Sequence, residues 1–277
     1  MLDRLSIKQF SLNRYLLIVD LNNILHRAIA VNPYLTGRYR EDRIYTGGIY
    51  GTLKQINSAI EKHMIDEMIV CSDTPPYIRT SMYKGYKANR SQKPKELSDK
   101  ISDSKHLLNK YFKILNIKIW KEEGYEADDL IASICDTYHK TYSKILIMSN
   151  DKDLYQLLVF PNVFVSTKEG KYGKEEFLKD YGISPEKWHL VAALSGGHNG
   201  LPGVEGIGEK TAIKMILKGR NFIKSFIKKN KVVKKLSAMA KLPIDTDILE
   251  RTPQISKATK KSVKKANMFL RKLGFDI

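Results

Sequence analysis

The chain has 277 residues, enough for one large or two smaller domains with a substantial buried core. Its 48 Lys and Arg against 30 Asp and Glu give a net charge of +18, which points to a polyanionic partner. No apolar run is long enough to span a bilayer and residues 1–15 carry no signal-peptide pattern, so nucleic acid is favoured over a membrane surface.

Tyr15-Leu16-Leu17-Ile18-Val19-Asp20 is a continuous apolar run ending in an acid, which predicts a buried parallel strand with Asp20 at its C-terminal edge. In open α/β sheets that edge is where ligands bind. Asn22 and Asn23 suit the cap of a following helix. Residues 47–60 read as another helix, with Ile49, Leu53, Ile56 and Ile60 on one face. Glu67-Met68-Ile69-Val70-Cys71-Ser72-Asp73 repeats the strand-then-acid pattern. Residues 77–90 interleave basic and aromatic side chains, which suits either phosphate and base contacts or a solvated helix face. A helical pattern resumes over 96–115.

Gly124-Tyr125-Glu126-Ala127-Asp128-Asp129-Leu130 places three carboxylates in four positions at the start of an amphipathic helix. Acids in a first turn suit the helix dipole, and they equally suit a hard cation that offsets their repulsion. Ile145-Leu146-Ile147-Met148-Ser149-Asn150-Asp151-Lys152-Asp153 is a third strand ending in acids. One such end is usually a helix cap. Three, with the 126–129 cluster, in a basic protein, suggest metal-assisted attack on phosphodiesters. Cys71 and Cys135 sit in apolar surroundings and read as reduced core residues of a cytoplasmic protein.

A short helix is expected over 154–158, a strand over 163–166 and a helix over 185–194. The glycine-rich stretch after it ends in Gly206-Ile207-Gly208-Glu209-Lys210-Thr211, where N–H groups at a helix start form a phosphate grip or a plain hairpin turn. From Lys218 onward, lysine pairs and spaced apolar residues predict small basic helices.

Five motifs in order resemble the flap endonuclease, or 5′-nuclease, family, which includes the 5′-nuclease domain of DNA polymerase I and the stand-alone phage and bacterial 5′-3′ exonucleases. They are Ile18-Val19-Asp20, Arg79 through Tyr86-Lys87-Ala88-Asn89-Arg90, Glu126-Ala127-Asp128-Asp129, Ser149-Asn150-Asp151-Lys152-Asp153, and residues 202–212. The resemblance covers about residues 16–219. It implies an α/β, PIN-like (resolvase-like), mostly parallel sheet flanked by helices. A core over 1–183 would include a helical arch at about 77–116, and 184–277 would form a helix–three-turn–helix subdomain with a basic tail.

The resemblance also implies site residues. Asp20, Asp73, Glu126, Asp128, Asp129 and Asp151 would hold a first Mg²⁺, which Mn²⁺ replaces, and Asp153 would lean toward a second. Lys87 and Arg90 would stabilise the scissile phosphate beside Asp128. Arg79, Tyr86, Lys87, Arg90 and the stretch Gly206, Ile207, Gly208, Glu209, Lys210 and Thr211 would contact DNA. Carbonyls of Ala193, Leu194, Pro202, Val204 and Ile207 match a potassium site. The implied activity is hydrolysis at 5′ flaps of DNA, and of RNA primers in RNA–DNA hybrids, by a monomer in replication.

One departure stands out. The family writes Gly-Asp-x-x-Asp-Asn before its Pro-Gly-Val, and those acid positions here are Gly196 and Asn199. Losing two anionic ligands weakens a second ion site. The alternative is therefore a flap- or fork-binding protein whose catalysis has weakened or gone. A PIN-type ribonuclease is a third reading, against which the Gly-Ile-Gly grip favours duplex DNA.

Overall fold

The computed structural model describes residues 13–39, 42–88, 94–167, 170–196 and 200–275. β1 (Tyr15–Asp20) leads straight into α1 (Leu21–Val31), and a hairpin of β2 (Thr36–Tyr39) and β3 (Asp42–Tyr45) precedes α2 (Gly47–His63). β4 (Glu67–Cys71), the short α3 (Ile78–Met82), α4 (Lys95–Leu115) and β5 (Ile119–Trp120) follow. Next come α5 (Ala127–Tyr138), β6 (Lys144–Met148), a 3₁₀ helix (Lys152–Val159), β7 (Val163–Ser166), β8 (Lys171–Tyr172) and α6 (Lys174–Tyr181). The remainder is helical: α7 (Trp188–Ser195), α8 (Glu209–Leu217), α9 (Arg220–Lys229), α10 (Lys231–Ala240), α11 (Asp247–Glu250) and α12 (Lys260–Lys272).

The main sheet runs in the order β5-β4-β1-β6-β7-β8. Every pairing is parallel except that of β7 with β8. Side chains alternate across it with period two. Leu16, Ile18, Ile69, Cys71, Ile145 and Ile147 enter one core with α5, the 3₁₀ helix, α7, α8 and α10. Leu17, Val19, Met68, Val70, Leu146 and Met148 enter the other with α1, α2, α4 and α12. Burial on both faces explains why the central strands are unbroken apolar runs. Cys71 and Cys135 are both free and buried, as read from their surroundings.

Two expected outlines change. The second half of α4, with Leu107, Leu108, Tyr111, Phe112 and Leu115 buried, is core rather than arch. The boundary expected at 183/184 does not divide the hydrophobic interior. Residues beyond it, such as Leu236 and Met239 on one face and Phe269 and Leu270 on the other, complete both cores.

Register sets up the site. Asp20 pairs with Cys71, and Val19 with Met148, so β1, β4 and β6 finish level with one another. Asp20, Asp73 and Asp151 therefore emerge along a single sheet edge, and the loop after β5 brings the start of α5 to the same edge.

Candidate active site

A cavity of about 540 Å³ opens at that edge, with Asp20, Asp73, Glu126, Asp128 and Asp151 on its wall beside Lys87. Each acid is fixed by a local bond. Asp20 caps α1, its Oδ1 accepting from the Asn23 N–H at 3.1 Å and its Oδ2 from the Ser149 hydroxyl at 2.8 Å. Asp73 accepts from the Ala127 N–H at 2.7 Å, which ties the end of β4 to the start of α5. Asp151 caps the 3₁₀ helix by accepting from the Asp153 N–H at 2.9 Å.

Two of the acids on this wall are held above their ordinary range. Burial pushes the Asp20 carboxyl up to about 7 against its two hydrogen bonds, and repulsion from Asp73 and Asp151 adds to the rise. Burial raises Asp128 well above the usual carboxylate range, with further repulsion from Asp151, Asp20, Glu126 and Asp153. The Asn22 side-chain oxygen, also on this wall, is buried and takes no hydrogen bond among the described residues. Crowded hard oxygens, on carboxyls that burial and mutual repulsion disfavour as anions at Asp20 and Asp128, fit a divalent cation. Among the described residues no three His, Cys, Asp or Glu side chains already form a closed ligand set. The fit is thus to an open, oxygen-lined pocket that Asp20, Asp73, Asp128 and Asp151 would offer to such an ion.

Glu126, Arg79, Tyr86 and Lys87 form a second network behind this wall. Glu126 Oε2 accepts from Arg79 Nη1 at 3.0 Å and from the Tyr86 hydroxyl at 2.8 Å, while Oε1 pairs with Lys87 Nζ. Lys87 adopts a left-handed backbone at φ 56°, and its ammonium sits 4.5 Å from the Tyr77 ring centroid. Gly200 lets this strand of chain pass closely: a Cβ there would stand 3.1 Å from the Lys87 nitrogen, and Gly200 itself has φ +79°.

Three expected roles change here. Arg79 is buried, so it is not placed to touch DNA. Its five donors are all engaged, by Glu126, by both oxygens of Asp129, and by the carbonyls of Met239 and Lys241. Asp129 is buried on the same guanidinium, also accepts from the Ile244 N–H at 2.9 Å, and does not line the cavity. It anchors Arg79 instead of joining the metal-facing acids. Tyr86 is buried with its hydroxyl on Glu126, so its ring is not offered to a terminal base. Asp153 stands outside the cavity wall, near enough to raise Asp128 by repulsion. Arg90 and Asn199 lie outside the described residues.

α7 and α8, the helices on either side of the glycine-rich stretch, pack against each other. Gly206 (φ +75°) and Gly208 meet nothing within 4 Å where a Cβ would sit, so the backbone there is open to a ligand. Lys210 and Thr211 are exposed beside it at the N-terminus of α8. Glu209 offers this grip only its backbone, because its carboxylate pairs with Lys152 at 3.0 Å. Of the carbonyls matched to potassium, Leu194 accepts from the Val204 N–H at 2.8 Å and Val204 from the Ile207 N–H at 3.0 Å. Ala193 lies in the last turn of α7, and Pro202 and Ile207 in the stretch before α8.

Sequence reasoning passed over several cavity residues: Asn22 and Asn23, read only as caps, and His26, Arg27 and Lys105. The available signal was helical spacing, since Asn23 and Arg27 lie three and seven residues beyond Asp20.

An acid-lined edge on a mostly parallel sheet, with a helical hairpin beside it, defines the resolvase-like α/β class. Within that class, the family model "5′-3′ exonuclease, N-terminal resolvase-like domain" matches residues 15–182, and the chain belongs to this family. A 5′-3′ exonuclease of Aquifex aeolicus is 33% identical over 207 residues, covering 73% of this chain and 69% of that protein. DNA polymerase I of Bacillus subtilis is 31% identical over 208 residues, 73% of this chain and 23% of the polymerase. The chain thus spans less than a quarter of that relative's length. In fold it is similar to the T5 5′-exonuclease solved with divalent metal ions (zinc), with a TM-score of 0.68 at 18% identity over 93% of this chain and 99% of that one. It is also similar to the catalytic core of Rad2 in complex with DNA substrate, with a TM-score of 0.58 at 14% identity over 95% and 88% of the two chains.

Proposed function

We propose that the chain is a divalent-metal-dependent 5′ nuclease that hydrolyses phosphodiesters where a 5′ single-stranded flap meets duplex DNA. The observation that carries this reading is the convergence of Asp20, Asp73, Asp128 and Asp151, from four separate segments, on one cavity beside Lys87. A bound Mg²⁺, or Mn²⁺ in its place, supplies Lewis-acid stabilisation of charge developing on the phosphate oxygens. Asp20, Asp73, Asp128 and Asp151 would hold it. Glu126 keeps the Lys87 ammonium aimed at the cavity, where it offsets charge on the scissile phosphate. Arg79 and Asp129 hold Glu126 in place.

The open backbone from Gly206 to Thr211 grips the duplex through phosphates, and the carbonyls of Ala193, Leu194, Pro202, Val204 and Ile207 would hold a potassium ion beside it. Removal of RNA primers and a cytoplasmic, monomeric working state belong to the same reading. The non-catalytic alternative is not favoured, because the stand-alone relatives are 5′-3′ exonucleases.

The test is cleavage of a 5′-labelled flap with Mg²⁺ or Mn²⁺, wild type against Asp128→Ala. Cutting that survives the substitution removes the assignment.

A further inference from the structure

We infer that Gln156 is a positioning residue for the metal-facing carboxylate of Asp151, and that it works by tying the Asp151 loop to a strap formed by residues 239–244. This rests on the nuclease reading above. It extends that reading to a segment beyond residues 15–182, the part of the chain that the family model matches.

Gln156 lies three residues after Asp153 in the 3₁₀ helix, where positions i and i+3 stack along the axis. Its side chain is buried, with the residue 6% exposed. A primary amide offers two N–H donors and an acceptor oxygen. Here Nε2 donates to the Asp153 carbonyl at 3.0 Å and to the Ala240 carbonyl at 2.9 Å. Oε1 accepts from the Leu242 N–H at 3.2 Å. All three partners are backbone groups of fixed polarity, so they also fix which end of the amide is nitrogen.

The strap begins in the last turn of α10, whose final carbonyls have no partner within the helix. Side chains from three other elements take them. Arg79 of α3 holds the carbonyls of Met239 and Lys241 at 2.8 and 3.3 Å. Gln156 holds Ala240 and Leu242, and Asp129 of α5 accepts from the Ile244 N–H at 2.9 Å. Buried backbone groups need such partners, and here every one of them comes from an element that also carries the site.

Arg79, Asp129 and Gln156 do not line the cavity, and each stands just behind a residue that does. Arg79 and Asp129 bond to Glu126. Gln156 holds the Asp153 backbone, and the Asp153 N–H donates to Asp151 Oδ1 at 2.9 Å. A continuous path therefore runs from the strap through Gln156 and Asp153 to a carboxylate oxygen on the cavity wall. Partners that orient a ligating oxygen govern ion affinity nearly as strongly as the ligand itself.

The test reads Mn²⁺ affinity by EPR on the protein without DNA, kcat and KM on a 5′-labelled flap, and melting by calorimetry. Gln156→Met keeps the length of the side chain and removes its three bonds. It is expected to bind Mn²⁺ about tenfold more weakly. At sub-saturating Mn²⁺ its kcat is expected to fall while KM for the flap stays unchanged. Asn162→Leu is the comparison. Asn162 also donates to two carbonyls, those of His139 and Tyr142 at 2.7 Å, but just before β7, at the end of the sheet away from the acids. Asn162→Leu is expected to lower melting and leave Mn²⁺ affinity at the wild-type value. Wild-type Mn²⁺ affinity in Gln156→Met, or an equal loss in Asn162→Leu, overturns the inference. Amide exchange on the wild type tests it without any variant. Linkage is reciprocal, so the Leu242 N–H is expected to exchange more slowly in Mg²⁺ than in EDTA, and unchanged exchange there overturns the inference even if Gln156→Met does not fold. Wild type that binds no Mn²⁺ removes the nuclease reading and this inference with it. Wild type that binds Mn²⁺ and cuts the flap, with Gln156→Met its equal in both, removes this inference alone.

Discussion

Replacing Arg79 by Met separates a structural role from a DNA contact. The guanidinium is buried and donates five hydrogen bonds, three of them to Glu126 and Asp129 at 2.5–3.0 Å. Two more reach the carbonyls of Met239 and Lys241 at 2.8 and 3.3 Å, pinning the end of α10 to the start of α5. Methionine fills much of the volume but leaves the Asp129 carboxylate buried without its cation. Removing one partner of a buried pair costs about 3–5 kcal/mol. At about 2–3 °C per kcal/mol for a chain of this size, melting is expected to fall by roughly 6–15 °C. Arg79→Lys is expected to fall nearly as far, because one ammonium cannot reproduce a planar five-donor fork. Adding Asp129→Leu to Arg79→Met removes the stranded charge and is expected to recover part of the loss, a coupling that a double-mutant cycle reads directly. The assay is calorimetry alongside DNA binding at several salt concentrations. Unchanged melting with weaker, less salt-dependent DNA binding refutes the structural role and restores Arg79 to the DNA interface.

Neighbouring acids are expected to behave differently: Asp128→Asn abolishes Mn²⁺ binding with little loss of stability, while Asp129→Asn lowers melting and leaves some Mn²⁺ binding, both measured by calorimetry. Without metal, Asp20 is held up to about 7 in the folded chain. The folded state therefore binds the extra proton, and stability in EDTA is expected to fall as pH rises from about 4 to about 7. Asp20→Asn flattens that slope in denaturant titrations. Glu67 has the opposite sign. Burial raises it, but bonds from Lys257, Tyr142 and Arg14 outweigh burial and hold it below its ordinary value. Its contribution is present above the unfolded carboxylate range and fades as pH falls through the folded value, so the penalty of Glu67→Gln is largest near neutrality. Gly196→Asp, which restores an acid of the family pattern, is expected to destabilise the fold and create no second ion site. Gly196 has φ +78°, and its Cβ would stand 2.9 Å from the Leu201 carbonyl oxygen. Equal melting together with a second bound Mn²⁺ contradicts this.

The sequence by itself determined the strands and which of their ends bear acid. A run such as Leu16-Leu17-Ile18-Val19 is stable only as a strand covered on both faces, and a parallel sheet aligns the ends of its strands. Asp20, Asp73 and Asp151 were therefore legible along one sheet edge, with Asp128 in an acidic helix start that equally suited the helix dipole. The hairpin at Gly206 and Gly208 was equally legible, because its glycines and the helix start at Glu209 are local signals. Only the tertiary structure decided which charges face that cavity and which are spent on one another. Asp128 and Asp129 are adjacent in the chain, yet one lines the cavity and the other is locked on Arg79. The partners that lock it, Arg79 and the Ile244 N–H, lie 50 and 115 residues away. Periodicity reads the face of an element, and it carries no information about which distant chain arrives to cover that face.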